Sequence, residues 1–172
     1  MLASVIGSAL IVAVLSVPIG LASAHDCPRG GCPDGRMTGG GRLGIDLLVT
    51  HGFELYCNIE KGPNNLQVNW IDATGAENHF HLESFGYVNC FDDPSIAPPP
   101  PNAGFDKLEA FGYGKLNNED GAKIYLRLTD AGEPGTDDYA RFKIQDPDGN
   151  VVLDVIGFLE HGNHQAHKAN PK

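Results

Sequence analysis

From Arg42 onward the chain alternates apolar and polar residues with a period of two, in one short run after another. Phe53, Leu55 and Cys57 are interleaved with Glu54, Tyr56 and Asn58, and Leu66, Val68 and Trp70 with Gln67 and Asn69. The same phase recurs at Phe80 and Leu82, at Ile124, Leu126 and Leu128, and at Ala140, Phe142 and Ile144. Successive side chains of a strand point to opposite faces, so each run reads as a strand with one dry and one wet face. No window of about 12 residues carries the 3.6-residue period of an amphipathic helix. Val151 to Leu159 reads as a longer, more deeply buried strand, and Asp146-Pro147-Asp148-Gly149-Asn150 as the hairpin turn before it. The expected fold is all-β, an antiparallel β-sandwich or jelly roll of about eight or nine strands over residues 42–160.

Three stretches interrupt this pattern and one follows it. Residues 25–41 are rich in Gly and Pro and read as an N-terminal arm. Residues 92–104 contain four consecutive prolines, a stiff polyproline II segment suited to a crossover loop. Residues 130–138 form an acidic loop, and residues 161–172 a polar tail containing histidines.

The first 24 residues carry no charged side chain. An apolar run from Val5 to Val17 is broken by Pro18 and Gly20 and followed by Ala22-Ser23-Ala24, the small-x-small pattern of a signal-peptide cleavage site before His25. The run is short for crossing about 30 Å of hydrocarbon. The four cysteines, Cys27, Cys32, Cys57 and Cys90, agree with export, since an even number in an exported chain suggests two disulfides. Three connectivities are open. The local one joins Cys27 to Cys32 and Cys57 to Cys90.

Twenty-two acidic against 12 basic residues give a net charge of −10, which argues against a nucleic-acid or anionic-membrane partner. No Gly-x-Ser-x-Gly elbow and no phosphate-cradling glycine loop with Lys and Ser/Thr are present, so the sequence offers no catalytic residues.

Several strings occur together and in order: Thr50-His51-Gly52-Phe53-Glu54-Leu55, Gly62-Pro63-Asn64-Asn65-Leu66-Gln67-Val68-Asn69-Trp70 and Phe80-His81-Leu82-Glu83. They are followed by Asp130-Ala131-Gly132-Glu133-Pro134-Gly135 and Gly162-Asn163-His164-Gln165-Ala166-His167. Over roughly residues 38–167 the chain resembles the post-COAP type domain of secreted bacterial surface proteins. The resemblance implies a secreted, β-rich accessory module without an established activity. Its partner is then an extracellular protein, a surface polymer or another copy of itself.

Seven histidines supply the most suggestive chemistry. His79 and His81 share the outer strand face with Glu77 and Glu83, at a spacing of about 7 Å that suits convergence on one metal ion. His161, His164 and His167 recur every third residue, and a tail folded back on the sheet would complete a zinc or copper site from His79, His81, Glu83, His164 and His167. His51, ahead of a glycine at a strand start, reads as structural. Cleavage before His25 would free an amine and a ring nitrogen for a copper brace. Asp130, Glu133, Asp137 and Asp138 lie in one glycine-containing loop, a candidate calcium site. The sequence thus leads to a secreted, non-catalytic interaction module, with metal binding as the alternative function.

Overall fold

A computed structural model describes residues 35–44, 48–96 and 103–168. The export segment, His25, Cys27, Cys32 and the four consecutive prolines lie outside the described residues. Nine strands follow one another: β1 (Gly35–Leu43), β2 (Val49–Tyr56), β3 (Asn65–Ile71), β4 (Glu77–Phe91), β5 (Lys107–Leu116), β6 (Glu119–Thr129), β7 (Tyr139–Gln145), β8 (Val151–Phe158) and β9 (His161–Lys168). No helix occurs among the described residues.

All nine strands belong to a single antiparallel sheet in the order β8-β7-β6-β5-β4-β3-β2-β1-β9. The expected class and strand number are found, but not the two facing sheets of a sandwich. The molecule is a meander curled into a half-barrel, whose concave side holds the core. Bulges in β4 at Leu82/Ser84 and Phe85/Tyr87 supply local bends. The inward phase contains the residues the alternation assigns to it. Leu55, Leu66, Val68, Phe80, Ile124, Leu128, Phe142 and Ile144 are fully buried, and Trp70 nearly so. A disulfide joins Cys57 to Cys90 across the start of the loop after β2 and the end of β4. The hairpin at residues 146–150 closes through the Asp146 amide donating to the Asn150 carbonyl, with the Asp146 carboxylate accepting the Asn150 amide.

Three segments depart from expectation for identifiable reasons. Part of the glycine-rich arm is strand β1, lying between β2 and β9. Glycine removes the alternation signal while permitting close approach: a Cβ on Gly41 would lie 2.6 Å from the His161 carbonyl oxygen, and one on Gly40 2.7 Å from that of His51. The polar tail is strand β9 through Lys168, because its amides find partners on β1. Finally, β8 is an edge strand, not a deeply buried one. Leu153 is covered, but Val151, Ile156 and Phe158 remain exposed. A continuous apolar run suggests burial on two faces, whereas only the concave face of this sheet is covered.

β8 and β9 form one nearly continuous strand that leaves β7 at one edge and joins β1 at the other, through Leu159 and Glu160. The Leu159 amide donates to the Asp138 carbonyl, and the Glu160 amide to the Arg42 carbonyl. This corner brings the two ends of the sheet together without a ladder between them.

Candidate functional site

The gap between β9 and the β6–β7 loop is spanned by side chains. Asp138, fully buried, accepts the His164 amide at 2.6 Å through one carboxylate oxygen and the Ala131 amide at 2.8 Å through the other. Asp130 accepts the Ala166 amide at 2.7 Å and the Gly132 amide at 3.0 Å. Glu133 accepts from the Asn163 and Gln165 side chains, both at 2.9 Å. The acidic loop is therefore a clasp on β9. Three of the four carboxylates of the candidate calcium site are turned toward amide donors of the protein. Burial pushes the Asp138 carboxyl up to about 6 despite its two amide donors.

Behind the clasp lies a buried histidine pair. The alternation Val49, His51, Phe53, Leu55 puts His51 on the concave face of β2, and His164 reaches the same place from β9. Their Nε2 atoms are 2.8 Å apart. His164 Nδ1 lies 3.0 Å from the Thr129 carbonyl oxygen, which can only accept, so Nδ1 carries the proton and Nε2 is bare. His51 Nε2 is then the donor, and its Nδ1 is left buried with no partner. Phe53 and Phe142 pack their rings 5.0 to 5.9 Å from the imidazoles. Desolvation keeps both rings neutral, lowering His51 to about 3 and His164 to about 4. Nothing in the local sequence pairs His51 with His164; the inward phase of His51 is the one signal of its burial.

This placement divides the five residues of the proposed zinc or copper site. His79 and His81 do sit side by side on β4, with ring centroids 6.5 Å apart, and His79 Nδ1 donates to Asn69 Oδ1 at 2.8 Å. Glu83 faces Lys115 at 3.5 Å. His164 is buried in the core, and His167 Nε2 is bonded to the Thr38 hydroxyl at 2.7 Å, with β1, β2 and β3 lying between β9 and β4. The expected single site is not assembled, because β9 is incorporated into the sheet edge instead of folding over its face. Among the described residues no group of three or more His, Cys, Asp or Glu is arranged to hold a metal ion.

The convex face of β4–β8 offers a different arrangement, and the register shows how it is built. Tyr87 lies opposite Phe111, Phe111 opposite Tyr125, and Tyr125 opposite Lys143. Two residues along, Asn89, Glu109, Arg127 and Arg141 form a second row. One row is aromatic and the other ionic, and both cross the strands. Phe111 packs 4.7 Å from Tyr125 and 4.9 Å from Tyr113 between ring centroids. Gly86 leaves room for them, since a Cβ there would stand 3.1 Å from the Phe111 ring. Tyr87, Tyr113 and Tyr125 nevertheless keep 40 to 48% of their surface in solvent. Arg127 is held 2.5 Å from Glu109, and Arg141 3.4 Å from Asp154. Between the rows is an open depression of about 490 Å³, lined by Tyr87, Glu109, Tyr125, Arg127, Arg141 and Lys143 among others.

Inward-facing Gly112 and Gly114 concealed β5 in the sequence, because neither provides an apolar beat. They are small because Leu82 and Phe80 fill the space in front of them. No family model, curated protein or solved structure matches this chain.

Proposed function

We propose that the chain is a secreted, non-catalytic module that attaches to an extracellular or cell-surface partner through the convex face of β4–β8. The observation carrying this reading is the Tyr87-Phe111-Tyr125 row, its two tyrosines exposed and its phenylalanine half-buried, beside the Glu109-Arg127-Arg141 row. Tyr presents a rigid apolar body with a polar tip, and Arg presents a planar fork of donors, which is why both are favoured where proteins meet partners. Exposed aromatic clusters rimmed by polar groups mark interaction sites in monomeric proteins. A disulfide within the sheet accords with an oxidising compartment. The buried carboxylates of Asp130 and Asp138 accept amides of β9 and serve closure of the fold.

The resemblance to post-COAP type domains supports the same reading. The test is binding of purified, disulfide-intact protein to intact producing cells and to their isolated envelopes. Wild-type protein is expected to sediment with the envelopes, whereas Tyr125→Ala combined with Arg127→Gln stays in solution with an unchanged circular-dichroism spectrum. Equal sedimentation of both proteins would refute attachment through this face.

A further inference from the structure

We infer that the paired rows bind a carboxylated polysaccharide laid across β4–β8, its ring faces against Tyr87, Phe111 and Tyr125 and its carboxylates against Arg127, Arg141 and Lys143. This inference rests on the reading of the chain as an attachment module and names the partner's chemistry.

The argument is one of geometry and charge. A sugar ring has an apolar face of C–H groups and a polar rim, so it stacks on an aromatic ring while its substituents reach sideways. Neighbouring strands are about 4.8 Å apart, and alternate residues along a strand about 7 Å apart. A flat chain lying across the strands therefore meets one ring after another in the first row, with its edge substituents over the second. The second row holds guanidinium groups, whose fork matches a carboxylate bidentately. Glu109 and Asp154 steady those guanidiniums by pairing with them, and Glu109 can accept sugar hydroxyls.

The two rows themselves hold three cations, Arg127, Arg141 and Lys143, and one carboxylate, Glu109. Lys123, Arg127, Arg141 and Lys143 are four of the 12 basic residues in a chain of net charge −10. They lie on two adjacent strands, with Glu109 and Asp154 on the flanking strands and Glu119 and Asp120 at the start of β6. Acidic groups elsewhere are screened beyond about 8 Å at physiological ionic strength. A nucleic acid requires many simultaneous phosphate contacts, which a chain of this net charge does not supply. A polymer with one carboxylate per ring asks for one cation at a time. A second copy meeting this face about a two-fold axis would set the same cations against each other, a like-charge opposition. An extended peptide would seek an unpaired strand edge, whereas β5, β6 and β7 are paired on both sides.

The experiment is affinity electrophoresis of the disulfide-intact protein in native gels containing polygalacturonate, alginate or polyglucuronate. Fully methyl-esterified polygalacturonate serves as the same ring without charge, and poly-glutamate as charge without rings. Retardation by at least one polyuronate, absent in the ester and in poly-glutamate, is expected. Phe111→Ala with Tyr125→Ala, and separately Arg127→Gln with Arg141→Gln, should each weaken apparent affinity by about tenfold or more. Arg127→Lys keeps the charge and the fold but loses the fork, and should weaken binding measurably. Equal retardation by poly-glutamate or by the ester would overturn the inference, as would no retardation by any of the three polyuronates. Should envelopes still capture the wild type but not the face variants, attachment through this face would stand and only the polymer's identity would fall.

Discussion

Acidification from pH 7 to pH 5 should unfold this protein more easily, and the buried histidine pair sets the size of the effect. In the unfolded chain both imidazoles titrate at their ordinary value of 6.5. In the fold they stay neutral down to about 3 and about 4. Below pH 6.5 the unfolded chain therefore binds more protons than the folded one, and stability falls as pH falls. One pH unit on one such group corresponds to about 1.4 kcal/mol. Two groups over the interval from 6.5 to 5 give a loss of about 4 kcal/mol.

Asp138 acts in the opposite direction. Its folded value of about 6 lies above its ordinary 3.8, so the folded state takes up a proton first. That returns about 1.4 kcal/mol by pH 5. Asp72 and Asp93 are held below the usual carboxylate range by hydrogen bonds, Asp93 chiefly by Lys107, and lose their contribution only below about pH 4. Asp106, raised by burial, acts in the same direction as Asp138, so the net expectation is a loss of at most about 2 to 3 kcal/mol between pH 7 and pH 5, a large part of the stability of an ordinary domain. Urea unfolding followed by the fluorescence of Trp70, the single tryptophan, measures it directly. His51→Leu removes one titrating group together with the orphaned Nδ1, so its pH dependence should be flatter by roughly half of the histidine contribution. A wild-type stability that is level or rising between pH 7 and pH 5, or the same slope in His51→Leu, would refute the assignment of a neutral, buried pair.

Other outcomes follow from the packing. Replacing Cys57 and Cys90 by Ala should cost about 3 to 4 kcal/mol in urea melts, from the loop the bond closes in the unfolded chain. Phe80→Ala, at a fully buried position facing Gly114, should cost about 3 to 5 kcal/mol. Gly112→Val should disrupt the β4–β5 pairing, because its Cβ alone would stand 2.6 Å from Leu82 Cδ1; a native-like thermal midpoint would contradict the described register. Tyr125→Ala should cost no more than about 1.5 kcal/mol, the worth of its ring packing on Phe111, leaving the protein folded while releasing it from cell envelopes, a separation of effects that a merely structural tyrosine would not show.

The legibility of this fold in its sequence was uneven in an instructive way. Where large apolar residues mark the inward phase, as at Leu66-Val68-Trp70 and Ile124-Leu126-Leu128, strand and face can both be read directly. Where the inward or contacting positions are glycine, as in β1 and at Gly112 and Gly114, the beat is silent although the strand is equally regular. Period-two reading identifies strands without stating how the sheet closes, and a meander curled on itself shares its alternation with a sandwich. In the sequence the acidic loop and the tail are two separate polar stretches. They are partners: the carboxylates of Asp130, Asp138 and Glu133 accept donors from Asn163, His164, Gln165 and Ala166. Such pairing across some thirty residues of sequence is set by the fold and has no local signature. The convex face was hidden for a similar reason. Tyr87, Phe111 and Tyr125 belong to three strands and become neighbours only through the register, including the bulge in β4 that turns Tyr87 outward.

The most direct test of attachment through the convex face is a heteronuclear NMR titration of labelled, disulfide-intact protein with solubilised cell-surface polymer. Shifts concentrated at Tyr87, Glu109, Phe111, Tyr125, Arg127, Arg141 and Lys143, with the core amides of β1–β3 unmoved, are the predicted result. Shifts mapping to β9, the His79–His81 face or nowhere would contradict it.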